Sequence, residues 1–167
     1  MSHAQIYVTS ADPPAMEQAF AGQSNGLCGA AVDGALFLVT GTDSGFVRFT
    51  VEWHETEPLP AGGEWEEAVE ASFTPRHDGV RLLERDGSTT HALDLGRVAG
   101  VGHGVRYCAS GLARRREDVG GDYADVAADR YLLVLWPEPE GRPDAVLRQT
   151  TERAAGRHRW ALELSRR

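Results

Sequence analysis

The chain contains no lysine; all 17 of its basic residues are arginine. That absence removes whole chemistries, because a Walker-type phosphate loop, a Schiff base and a Ser–Lys dyad each need a lysine amine. Cysteine is nearly absent too, with only Cys28 and Cys108, eighty positions apart and without a CxxC spacing. The simplest reading is two buried thiols in a reducing cytoplasm, with a Cys28–Cys108 disulfide as the alternative. There is no apolar run near the ~20 residues needed to span a bilayer. Nor is there a basic head followed by an apolar core at the N-terminus, so neither a signal peptide nor a membrane partner is expected.

What is present is ordinary in amount and uneven in placement. At 167 residues the expectation is one domain over 1–167. A chain of this size buries roughly 70% of its unfolded surface, enough for a core without staples. The net charge of −8 argues against direct nucleic-acid binding and favours a basic protein partner. Between Arg48 and Arg76 no basic residue occurs, while seven carboxylates do: Glu52, Glu55, Glu57, Glu64, Glu66, Glu67 and Glu70.

This acidic run lies within residues 45–74, whose two flanks alternate apolar and polar residues as strands with one buried face do. Val47, Phe49, Val51 and Trp53 share one side of the first flank; Phe46, Arg48, Thr50 and Glu52 share the other. In the second flank Trp65, Val69, Ala71 and Phe73 oppose Glu66, Glu70 and Ser72. The expectation is a hairpin with an apolar inner face and an acidic outer rim that receives the partner. Trp53 and Trp65 fall in phase with the apolar face, which favours core over interface.

Elsewhere the chain reads as short strands separated by turns. These are 3–9, 35–39, 80–85 and 88–95 about the Asp86-Gly87 turn, 105–110, 130–137, 145–150, and the alternating WALEL at 160–164. Leu132–Trp136 are apolar on both faces, so that strand belongs in the sheet interior. Helix is expected only briefly, after Pro13-Pro14 with Ser10 or Asp12 as cap, and at 151–156. Residues 111–129 hold charge without periodicity and read as a mobile loop. About nine short strands at near-regular spacing predict an all-β fold, an antiparallel β-sandwich with one or two short helices.

Motifs for catalysis are thin. Gly22-Gln23-Ser24-Asn25-Gly26 fits the G-x-S-x-G elbow, but that elbow needs a strand before it and a helix after it. The context here predicts a turn. Gly100–Gly104 lacks the third glycine and the helix of a dinucleotide loop. The histidines His3, His54, His77, His91, His103 and His158 make no HxH, HxxxH or HExxH spacing, so neither a metal nor another cofactor is expected. His54 stands among Glu52, Glu55 and Glu57, where carboxylates favour its charged form. A glycosidase-like pair could be drawn from Glu52, Glu66 and Glu70 if two of them stood roughly 5–10 Å apart. Arg114-Arg115-Arg116 is offset at once by Glu117 and Asp118 and lacks the interleaved aromatics of a nucleic-acid surface.

From residue 9 to 136 the order of features resembles the competence protein J family, inhibitors of a DNA-entry nuclease. The matching pieces are Pro13-Pro14, the step Ala30, Ala31, Asp33, Gly34, Ala35, and the strand FVRFTVEW at 46–53. Phe73, the strand Asp78–Leu82 and the Tyr131–Leu133 strand complete the set. The step at 30–37 is its most specific part; residues 97–104, 110–128 and the tail from Pro137 fall outside it. The resemblance implies a non-catalytic, immunity-like inhibitor of a nuclease in the cytoplasm and assigns no partner-contacting residues. Two other readings stand beside it: a ligand-binding or regulatory sandwich, and a hydrolase using Ser24 or a glutamate pair.

Overall fold

The structure, a computed structural model, describes residues 5–41, 48–84, 90–112 and 129–167. Two five-stranded sheets pack face to face and make the fold an all-β sandwich. In chain order the strands are β1 (Gln5–Thr9), β2 (Cys28–Gly29), β3 (Ala35–Val39), β4 (Arg48–Trp53), β5 (Glu67–Phe73) and β6 (Val80–Glu84). After these come β7 (Thr90–Leu93), β8 (His103–Ser110), β9 (Arg130–Pro137) and β10 (Ala145–Arg148). The helices are α1 (Met16–Ala19) and α2 (Glu152–Ser165).

The first sheet runs β2-β3-β1-β6-β7 and is antiparallel throughout. The two strands expected on either side of Asp86-Gly87 pair antiparallel, with Val80 opposite Leu93 and Leu83 opposite Thr90; residues 85–89, which hold the expected turn, lie outside those described. The second sheet runs β10-β5-β8-β9-β4. Its inward phase carries Val69, Ala71 and Phe73 of β5, Val105, Tyr107 and Ala109 of β8, and Tyr131, Leu133 and Leu135 of β9, all buried. Two phenols reach across to the first sheet's end: Tyr107 donates to the Val39 carbonyl (2.7 Å), and Tyr131 accepts from the Gly41 amide (2.7 Å). Alternation of apolar side chains on pleated strands thus builds the core.

Three local expectations need correction. The acidic hairpin does not form: β4 and β5 share a sheet but are separated by β8 and β9, and β4 pairs parallel with β9. Alternation predicted both strands and the inward phase of Phe49, Val51, Val69, Ala71 and Phe73, but it carries no information on which strand neighbours which. Trp53, expected in the core, is instead 40% exposed at the end of β4, and Trp65 is half-buried before β5 starts. The WALEL segment is helix, because α2 continues to Ser165. Ala154, His158 and Ala161 recur at helical spacing and are buried, and Trp160 and Leu164 pack beside them. Thr151 caps this helix by accepting from the Ala154 amide. Finally, α1 begins after Ala15 with no side-chain cap, while Ser10 instead accepts from the Arg76 amide. The expected interior strand is indeed flanked on both sides, by β8 and β4. Residues 113–128, which hold the expected loop and the Arg114–Arg116 run, lie outside those described.

Candidate partner-binding surface

Because β4 and β5 sit three places apart, the connection 54–66 must cross the outer face of the second sheet. It does so as a strap tied down by arginines from other elements. Arg106 of β8 donates to the Leu59 carbonyl (2.7 Å), while Arg148 of β10 donates to the carbonyls of Gly62 (2.7 Å) and Trp65 (2.9 Å). Leu59 stands between Pro58 and Pro60 and is 88% exposed. The prolines restrict φ and the arginines fix the carbonyls, so this leucine is presented on a pre-organised backbone.

Beneath the strap lies an ionic cluster built on Trp136. Arg106 stands over the indole at 5.4 Å and Arg142 at 4.9 Å. Gly104 lies opposite Trp136 in the neighbouring strand, and a Cβ there would fall 2.5 Å from the indole. Only glycine leaves room for the ring to lie across β8. Glu70 bridges the two arginines, accepting from Arg106 through Oε1 (3.2 Å) and from Arg142 through Oε2 (2.8 Å). Glu138 takes both Nε and Nη2 of Arg142, at 2.7 and 2.8 Å. Glu57 reaches down from the strap to Arg142 (3.0 Å) and Arg106 (3.7 Å). The Arg142 hydrogen bond holds the Glu57 carboxyl below the ordinary carboxylate range. In return Glu138, Glu57 and Glu70 hold Arg142 firmly protonated.

The seven carboxylates therefore divide. Glu52, Glu55, Glu57 and Glu64 are exposed, and Glu66 is half-buried with a long contact from the Ser110 hydroxyl (3.4 Å). Glu52 is paired with His54 at 3.0 Å. Glu55 and Glu64 have no ion-pair partner among the described residues. Glu70 is buried in the arginine cluster, and Glu67 is wholly buried. Glu67 accepts from the Thr151 amide (2.8 Å) and the Thr150 amide (3.2 Å), joining β5 to the start of α2. The continuous outer rim is thus corrected to a shorter one. Arginines distant in sequence fill the basic gap between Arg48 and Arg76, and the phase of Glu67 turns it inward with Val69.

Catalytic arrangements find little support in the geometry. The Ser24 hydroxyl donates to Asp144 Oδ2 (3.0 Å), which also accepts the amides of Ser24 and Asn25, both at 2.8 Å. His158 lies near, but its Nδ1 accepts from the Gly26 amide (3.0 Å), so the lone pair a general base would use is occupied. The turn expected at 22–26 is a docking turn for α2. Glu52 stands on β4, three strand spacings or ~14 Å from the β5 acids, too far for a glycosidase pair. Among the described residues no cluster of three or more His, Cys, Asp or Glu could hold a metal. Both cysteines are free and buried, and burial pushes Cys28 up to about 12 and Cys108 up to about 11. No described helix is long and apolar enough to cross a membrane.

Sequence reasoning missed Arg106, Arg142, Arg148 and Asp144. Arg106 offered one signal, a charge on the outward phase of a strand whose neighbours Cys108 and Gly104 are not polar enough for a solvent face. Glu67 offered another, an acid in phase with Val69, Ala71 and Phe73. No protein-family model matches the chain, and neither does any curated protein or solved structure at a significant level.

Proposed function

We propose that the chain is a non-catalytic binding module whose strap docks a basic protein partner. The observation that carries this reading is Leu59, held out at 88% exposure on an arginine-pinned strap that also bears the exposed Glu55 and Glu64, which have no ion-pair partner among the described residues. An apolar anchor inside an acidic frame suits a partner with a hydrophobic notch in a basic surface. Holding the strap with the buried Arg106 and the half-buried Arg148 lowers the ordering cost of docking, and the carboxylates steer encounter. A nuclease fits the chemistry, because surfaces that grip phosphate are basic, and it agrees with the resemblance of residues 9–136 to nuclease inhibitors. Glu52 and Glu66 extend the frame; Glu57 acts through the arginines, while Glu67 and Glu70 lie below the contact surface. No cofactor and no nucleic acid enter this reading.

The test is calorimetric titration of the full chain against a panel of basic nucleases, with nuclease activity measured in parallel. Binding should weaken steeply as salt rises. E55R combined with E64R should weaken it at least tenfold, and Leu59→Ala should do so with little change in salt slope. Unchanged affinity in both variants, with the fold intact by circular dichroism, sinks the strap as the contact surface.

A further inference from the structure

The Gly22–Gly26 turn and α2 meet at one histidine. His158 is only 8% exposed, and its Nδ1 accepts from the Gly26 amide at 3.0 Å. Accepting at Nδ1 places the ring proton on Nε2, which is buried and has no hydrogen-bond partner among the described residues. The same junction is drawn tight by neighbouring contacts. Arg157 donates to the Gly26 carbonyl (3.1 Å) and lies over Phe20 (5.6 Å) and Trp160 (4.6 Å). Ser165 donates to the Gln23 carbonyl (3.1 Å). A Cβ on Gly26 would fall 2.0 Å from the Arg157 carbonyl oxygen, so turn and helix backbones touch directly. Asp144 clamps the other side of the turn through Ser24 and Asn25.

We propose that His158 is an acid-sensitive latch, whose protonation at Nδ1 breaks the Gly26 bond and releases α2 from the Gly22–Gly26 turn. A doubly protonated imidazole has only donors, so its Nδ1–H would face the Gly26 N–H, donor against donor. Burial opposes the charged ring most, Arg157 on the same helix opposes it further, and Asp144, on the segment before β10, works the other way. The docked helix therefore binds fewer protons than the released one. Docking is complete above the ordinary histidine range and weakens as pH falls through it. Until the docked ring itself titrates, the opening constant should rise about tenfold per pH unit. Release uncovers the aromatic contact of Phe20 with Trp160, centroids 5.5 Å apart, which gives the acid state an apolar surface the neutral state lacks.

Amide hydrogen exchange of the full chain from neutral to mildly acidic pH tests the latch, with the His158 ring titration followed by NMR in the same samples. After correction for intrinsic exchange, amides of 152–165 should lose protection about tenfold per pH unit, ahead of those in β8 and β9. His158→Asn, whose side-chain oxygen can take the place of Nδ1 as acceptor, should abolish that acid dependence. Simultaneous loss across helix and strands overturns the proposal, as does an unchanged acid dependence in the variant. Should the variant fail to fold, the wild type decides alone: helix release must track the ring titration, and release at any other pH rejects the latch.

Discussion

Arg106 illustrates how much single side chains do in this fold. Its guanidinium touches Glu70, the Leu59 carbonyl and the face of Trp136, and almost none of it is exposed. Without Arg106, Glu70 keeps its 2.8 Å pairing with Arg142 but loses one partner, and the Leu59 carbonyl loses its donor. Arg106→Gln should therefore lower the free energy of unfolding by about 1–3 kcal/mol in a denaturant titration. The losses from Arg106→Gln and Glu70→Gln should be less than additive in the double variant, because either change alone already breaks the pair they share. Glu64→Gln, on the exposed strap, should change stability by less than about 0.5 kcal/mol. The two thiols give a further residue-scale prediction. With Cys28 and Cys108 buried and held protonated, alkylation of the native protein should be slow, and both should react at once on denaturation.

At the scale of elements, α2 is the piece whose placement depends on the fewest, most specific contacts. It enters through Thr151, whose amide binds Glu67 and whose hydroxyl caps the first turn, and it is seated by His158 and Arg157 against Gly26. Gly26→Ala puts a methyl into the Arg157 carbonyl, a backbone atom that cannot swing aside. The expected loss is at the upper end of the ~1–3 kcal/mol typical of overpacking, with Trp160 fluorescence shifting towards that of an exposed indole. Gly22→Ala meets no neighbouring atom but sits at φ 77°, so its cost is backbone strain of ~1 kcal/mol or so and leaves α2 docked. The strap behaves differently. Most of its residues are proline, glycine and glutamate, so its order comes from Arg106 and Arg148 on the sheet and from Arg142 in the connection between β9 and β10. Arg148→Ala should loosen the carbonyls of Gly62 and Trp65 and raise exchange there while leaving β5 and β8 protected.

Over the whole molecule, charge is sorted rather than mixed. Residues 151–167 carry five arginines against two glutamates, although the chain as a whole stands at −8. The strap and the last helix are thus of opposite sign, and the two proposed devices occupy different elements: docking belongs to the strap, acid sensitivity to the helix. Partner affinity should therefore depend on salt in wild type and His158→Asn alike. Acid should change α2 protection in wild type even with no partner present, which separates the two proposals in one set of samples.

Much of the architecture is legible in the amino-acid sequence alone. The period-2 alternation of Val69, Ala71 and Phe73, the Asp86-Gly87 turn and the doubly apolar Leu132–Trp136 determine strands, faces and an all-β sandwich, because those signals are local. The Gly22–Gly26 turn is legible for the same reason. The pairing of β4 with β9, the helix over WALEL and the neutralisation of the acidic run are not. A strand's partner depends on which edges remain free once the core closes, and a five-residue alternation cannot be told from two helical turns that bury Trp160 and Leu164. The acidic stretch of residues 52–70 remains the chain's most uneven feature, but tertiary structure decided its meaning. Arginines from three distant segments take up Glu57 and Glu70 and pin the strap, the turn before α2 takes up Glu67, and Glu55 and Glu64 are left facing solvent beside Leu59.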